Sequence, residues 1–363
     1  MTAARSSTGG AARRGRVPGA FRPALVCVLL PALAGAPGAS ARADQIVLRD
    51  GRTLNNVEVV RETIEAVTYR ISGVEQTEPA ANIREVVHSD EPLGYREAMR
   101  HLEAGRFVEA ATAFERAAGG GGGGWVKQYA LFHAAEAWRQ AGRNQEAAER
   151  YQQLLREVPD TRFLPAARLG LGLCQLQAGN FEAARQAFAE LAAAAQARGF
   201  GAQWKHLAEL HIAESYEREG QLGQALERYR RIAREAVTDP EAQALARLGA
   251  IRCGGGELQD RLAELKELID AARTPERVRA QAYLLQGQLQ AHKGAHEEAL
   301  LSFLRVAYDP PFRAFATLRA EALFRAAEAF ERARTAEWQA RAEALRRELR
   351  ETFPGSEWAR RLQ

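Results

Sequence analysis

Few residues here are spaced for chemistry. Six glycines run unbroken from Gly119 to Gly124 and so satisfy the G-x-G-x-x-G pattern of a dinucleotide site. Such a site needs its glycines between a strand and a helix. A helical pattern precedes these, and no Gly-Lys-Ser/Thr follows to cradle a phosphate. The run reads as a linker. His133 with Glu136 and His211 with Glu214 stand three apart, within reach of one helical face. A carboxylate-bridged metal centre would need further glutamates converging from other helices, so these pairs read as surface pairs. His292 and His296 flank Gly294, and His206 and His211 are five apart, the wrong spacing for one face. No H-E-x-x-H, paired Cys-x-x-Cys or G-x-S-x-G occurs, and Ser, Thr and Asp are sparse in the helical part. The expectation is a chain with no catalytic residues, metal or cofactor.

Two of the three cysteines, Cys174 and Cys253, fall in different repeating units, which a stack of repeats keeps apart. They are expected to be buried free thiols. Cys27 lies in an N-terminal segment with its own logic. Residues 1–43 contain six arginines and no acid; an apolar stretch runs from Ala24 to about Ala36, and Ala41-Arg42-Ala43 follows. Basic, apolar, then small is the order of a cleavable secretory signal, predicting a mature start at Asp44 and a periplasmic destination. The apolar stretch is too short for an anchor. About 13 residues at roughly 1.5 Å each reach ~20 Å, against a hydrocarbon core about 30 Å thick.

Removing the leader changes the charge argument. The whole chain carries 50 basic and 46 acidic residues, net +4. With six arginines in the leader, the remainder is 44 against 46, net −2. A near-neutral chain gives no electrostatic reason to expect nucleic acid as partner.

The elements behind the leader are of two kinds. In residues 44–90, Ile46-Val47-Leu48, Val57, Val59, Ala66–Ile71 and Ile83–Val87 favour strands. Asp50-Gly51 and Ser72-Gly73 are turn pairs. About five short strands are predicted, a small module of SH3-like or Sm-like size. From Tyr95 onward the periodicity is helical. Gly105, Gly142, Gly179, Gly220 and Gly294 each stand where one helix would turn into the next. Seven residues before them come Ala98, Ala135, Gly172, Ala213 and Gly287. Five after come Ala110, Ala147, Ala184, Ala225 and Ala299. Nine after come Phe114, Tyr151, Phe188, Tyr229 and Phe303. The glycine ends the first helix with φ > 0. The small residues sit where paired helices touch, and the aromatic fills the space between a pair and its neighbour.

This pattern resembles the tetratricopeptide repeat, with a period longer than usual: the glycines are 37, 37 and 41 residues apart, then 74. The last gap holds a degenerate repeat around Leu248-Gly249 and Cys253–Gly256, and a seventh pair lies in 321–353. The predicted organisation is a signal at 1–43, a β module at 44–90, a first helix pair at 91–118, a glycine linker at 119–124 and an α-solenoid at 125–363 with a C-terminal capping helix. In its long period the chain is similar to bacterial envelope repeat proteins of the Tol-Pal-associated division coordinator type. The resemblance implies a right-handed superhelix that binds a protein or peptide on its concave face. Mapped from the turn glycines, it places Phe132, Glu136 and Arg139 of the second repeat there. Leu169, Leu173 and Leu176 follow from the third, Leu210, Glu214 and Glu217 from the fourth, and Leu284 and Gln288 from the sixth. Two other readings stay open: an envelope-structural role with the β module on cell-wall polymer or a membrane complex, and an enzyme with a dispersed site.

Overall fold

A computed structural model describes residues 43–120, 124–254, 256–332 and 336–362. The predicted leader, with Cys27, and the glycines at 121–123 and 255 lie outside these.

Five strands form one antiparallel sheet: β1 (Asp44–Leu48), β2 (Thr53–Glu62), β3 (Ala66–Ile71), β4 (Val74–Pro79) and β5 (Ile83–Val87), in the order β4-β3-β2-β1-β5. β2 is long enough to serve two neighbours. Its first half pairs β1 (Ile46 with Leu54) and its second half pairs β3 (Glu58 with Arg70). The predicted turns hold for the expected reason: Gly51, Ser72 and Gly73 all have positive φ. Ile46, Leu48, Val57, Val67, Tyr69, Ile83 and Val86 close a small core.

Seven helix pairs follow. They are α1 (Leu93–Glu103) with α2 (Phe107–Gly119), α3 (Gly124–Gln140) with α4 (Asn144–Glu157), and α5 (Leu164–Gln177) with α6 (Phe181–Arg198). Next come α7 (Ala202–Arg218) with α8 (Leu222–Glu235), α9 (Pro240–Cys253) with α10 (Leu258–Asp270), and α11 (Glu276–His292) with α12 (His296–Tyr308). The last is α13 (Ala316–Arg332) with α14 (Ala336–Thr352), and the short α15 (Glu357–Arg360) folds back on it. Each helix packs chiefly on its neighbours in sequence, and the first helices of successive pairs, from α1 to α13, also touch one another. The core is accordingly a string of clusters shared between neighbours, as in a solenoid.

The repeating glycines do what their spacing predicted. All five have φ between +70° and +87°. After each, the backbone N–H reaches five residues back, from Arg106 to His101 and from Arg143 to Trp138 for example, which satisfies carbonyls the helix end would orphan. All five alanines following the turns are fully buried, and so are Phe114, Tyr151, Phe188, Tyr229 and Phe303. These rings crowd glycines both of their own pair and of the next. A Cβ on Gly172 or Gly287 would overlap the ring of Phe188 or Phe303, which belong to the same pair. A Cβ on Gly170 or Gly249 would overlap Tyr151 or Tyr229, which belong to the preceding pair. The glycine run ends α2 at Gly119 and begins α3 at Gly124. The first two pairs share a core there: Tyr95 stands edge-on to both Phe114 and Trp125. Cys174 and Cys253 are free and buried, in α5 and α9. Among the described residues no helix is long and apolar enough to cross a membrane.

Candidate functional site

The predicted groove residues lie on the first helix of their pairs, but they are not equally available. Leu210 and Leu284 are buried inside the clusters between pairs. So is Leu176, whereas Leu169 and Leu173 are half-buried against the same cluster. Phe132 is half-buried and stacks on Phe163, with ring centroids 4.3 Å apart and planes at 7°.

The polar members are already bonded. Glu136 accepts from Arg139 Nη2 at 2.6 Å and from the Tyr151 hydroxyl, tying α3 to α4. Glu217 accepts from Tyr229 at 3.0 Å and from Arg252 Nη2 at 2.6 Å, tying α7 to α8 and α9. Gln288 donates to Glu321 at 3.2 Å, from α11 to α13. Glu214 bonds His211 Nδ1 at 2.9 Å. Burial raises the Glu214 carboxyl pKa, but His211, with Arg218 and Arg252, outweighs that and the net shift is downward. The other predicted His–Glu pair does not form a hydrogen bond: Glu136 is taken by Arg139 and Tyr151, and His133 lies among Tyr95, Phe114, Phe132 and Phe163.

The most concentrated polar chemistry is elsewhere, where the sheet meets the helices. Glu62 ends β2 with its side chain 1% exposed. Its Oε1 pairs with His88 Nε2 at 2.7 Å. Its Oε2 accepts from Tyr129 Oη at 2.9 Å and Arg162 Nη1 at 2.5 Å. Because an ionised carboxylate only accepts, Nε2 of His88 is the donor. Gln128, buried in α3, bonds the Glu62 carbonyl at 3.5 Å, Thr161 Oγ1 at 2.9 Å and the Arg162 amide at 3.3 Å. The His88 ring lies flat on Trp125, with centroids 4.0 Å apart and planes at 1°.

Burial disfavours the charged forms of Glu62, Tyr129 and Arg162, and the partners reverse the effect for Glu62 and Arg162. His88 and Arg162 hold Glu62 below the usual carboxylate range, and Tyr129 and Glu62 keep Arg162 firmly cationic. Burial and the Glu62 carboxylate drive the Tyr129 phenol well above its ordinary value. Sequence reasoning missed the cluster, and no spacing could have shown it: Arg162 is 100 residues from Glu62 and Tyr129 is 67. The arrangement holds a module in place; none of its groups is set up as a nucleophile.

Comparison with known proteins agrees with the repeat geometry. Two tetratricopeptide-repeat family models match, one over residues 95–162 and one over 138–207. No curated protein matches the chain. Among solved structures, the chain is similar to a tetratricopeptide repeat protein from Parabacteroides merdae, with 16% identity over 70% of this chain and 98% of that one and a TM-score of 0.46. It is also similar to the type IV pilus biogenesis factor PilW, with 16% identity over 74% and 96% and a TM-score of 0.39. A third is the quorum sensor NprR from B. thuringiensis in its apo form, with 11% identity over 73% and 65% and a TM-score of 0.41. The sequence matches show tetratricopeptide repeats over residues 95–207, and the same glycine, alanine and aromatic offsets continue to Phe303.

Proposed function

We propose that this chain is exported and serves in the bacterial cell envelope as a non-catalytic scaffold, holding a protein or peptide partner on the concave face of its repeats. The observation that carries the reading is the layer formed by the odd-numbered helices. Hydrogen bonds run directly from α7 to α9 and from α11 to α13, and Phe132, Leu173, Glu214 and Gln288 are each half-buried on one of these helices. Half-exposed apolar side chains beside charges suit an extended or helical peptide segment. The basic, apolar, small-residue order of residues 1–43 supports export.

The test is a crosslinked pulldown from the native envelope. Glu136 and Glu217 are poor control positions, because reversing them breaks bonds within the fold. Glu214→Lys gives up contacts only on its own helix, to His211 and Arg218, and leaves the bonds between helices intact. Capture should fall while far-UV circular dichroism is unchanged; undiminished capture removes the groove. N-terminal sequencing of the envelope fraction should begin at Asp44, and an uncleaved chain in the cytosol removes the export claim.

One observation favours a second surface. β4 ends the sheet, with five of its six residues exposed, and a free edge is a template for partner contact. Val74→Arg with Thr77→Arg separates the two: loss of capture with this pair alone moves binding to the β module.

A further inference from the structure

The junction contains a group that the scaffold role does not use. His88 is a buried histidine, its side chain 3% exposed, and Nε2 is committed to Glu62. Among the described residues Nδ1 has no hydrogen-bond partner. It faces Asp44 Oδ2 at 4.0 Å, too far for a hydrogen bond. Asp90 completes the group, and the three residues offer ligand atoms that all lie within 4.8 Å of one another.

We propose that His88 Nδ1, Asp44 and Asp90 bind a divalent transition cation of the Zn2+ class at the start of β1. Four features support the assignment. Nε2 must be the protonated nitrogen, since Glu62 only accepts, so the lone pair of the neutral ring is on Nδ1. A ligating histidine that gives its other N–H to a carboxylate is the usual outer-shell arrangement of protein metal sites, and Glu62 supplies that carboxylate. The Asp44 carboxylate is held rigidly: Oδ1 accepts from the Ser89 amide at 2.8 Å and its hydroxyl at 3.1 Å, and Oδ2 from the Val59 amide at 2.9 Å. Oδ2, with the Val59 amide as donor, is the oxygen that stands 4.0 Å from His88 Nδ1. Asp90 Oδ1 accepts from Trp125 Nε1 at 2.9 Å, and Asp90 is exposed, which gives the cation an entry path and room for water.

One imidazole with two carboxylates favours Zn2+ or a neighbouring transition ion over Ca2+ or Mg2+, which take oxygen ligands. With metal–ligand bonds of about 2.0–2.2 Å, tetrahedral ligands stand roughly 3.4 Å apart, so the His88–Asp44 gap closes by about 0.6 Å on binding. The cation would join the first strand to the β5–α1 connection, directly against Trp125 of α3.

The full chain, stripped with a chelator, is titrated with Zn2+ by calorimetry, and the Zn2+ form is measured by X-ray absorption. Saturation at one ion per chain is expected, with one imidazole and carboxylate oxygens in the coordination shell. Asp90→Asn keeps an acceptor for Trp125 but removes a charged ligand, and should weaken binding about tenfold or more with an unchanged melting curve. His88→Gln should abolish it. Should His88→Gln fail to fold, Asp90→Asn decides alone. No saturable Zn2+ binding to the wild type, or binding in Asp90→Asn equal to wild type, overturns the proposal.

Discussion

Glu62 at the end of strand β2 and Arg162 between α4 and α5 are joined by a 2.5 Å charge-assisted hydrogen bond, with side chains 1% and 20% exposed. The bond fixes the β module to the second and third repeats. Ile64 adds a backbone hydrogen bond to the Asp160 carbonyl at 3.0 Å, and Arg198 bonds the Asp160 carboxylate at 2.7 Å.

Removing one partner of a buried pair strands the other charge, at a cost of about 3–5 kcal/mol. Arg162→Met should therefore lower stability by that order, since Glu62 keeps only His88 and Tyr129. Glu62→Gln with Arg162→Met should recover much of the loss, because neither charge is then buried alone and the amide oxygen still accepts a hydrogen bond within the cluster. Urea denaturation midpoints of the two variants check this. A double substitution as unstable as the single one would mean that the pair is not the main contact.

Packing and backbone conformation are separable at two glycines of one repeat. Gly172 has ordinary helical φ, but a Cβ there would overlap the Phe188 ring, so Gly172→Ala should cost about 1–3 kcal/mol through overpacking. Gly179 has open space around it but φ +80°, so Gly179→Ala should cost roughly 1–2 kcal/mol through backbone strain. Phe188→Leu should relieve the first substitution and not the second. A double-mutant cycle reads the difference as coupling at 172 alone.

The His133 ring gives the fold a pH dependence. Burial lowers its pKa to about 4 from 6.5, and the nearby Glu136 only partly opposes this. Tyr95, Phe114, Phe132 and Phe163 face the ring, none of them charged. The unfolded chain therefore binds a proton that the folded chain refuses. Its contribution is full above pH 6.5 and is lost as pH falls toward 4. Allowing for the ring's partial exposure, the loss is about 2 kcal/mol. His133→Phe should flatten that part of the stability–pH curve; an unchanged slope would show that the histidine is not responsible.

Burial raises the thiols of Cys174 and Cys253 to about 12. Only the thiolate is reactive, so neither should be alkylated by maleimide at pH 8 until the chain is denatured. Peptide mapping by mass spectrometry checks each cysteine separately, and rapid labelling of the native chain at either would contradict the packing.

The repeat was legible from residue types because its contacts are local. A turn glycine, an alanine five later and an aromatic nine later lie within one helix pair, so spacing along the chain encodes distance in space. The strands could likewise be read on either side of the Asp50-Gly51 and Ser72-Gly73 turns, which join strands adjacent in sequence. The predicted groove was no more than a row of positions. Helical spacing does not say that Leu210 and Leu284 are covered by the neighbouring pair, or that Glu217 is claimed by Arg252 of the next pair.

The amino-acid order alone determined seven helix pairs and a small β module, since each follows from local backbone preference and short-range packing. Only the tertiary structure decided how the two meet. Glu62, His88, Tyr129 and Arg162 are 26 to 100 residues apart, and no local rule relates them. Their charges are tolerable in a buried site only because folding brings all four together.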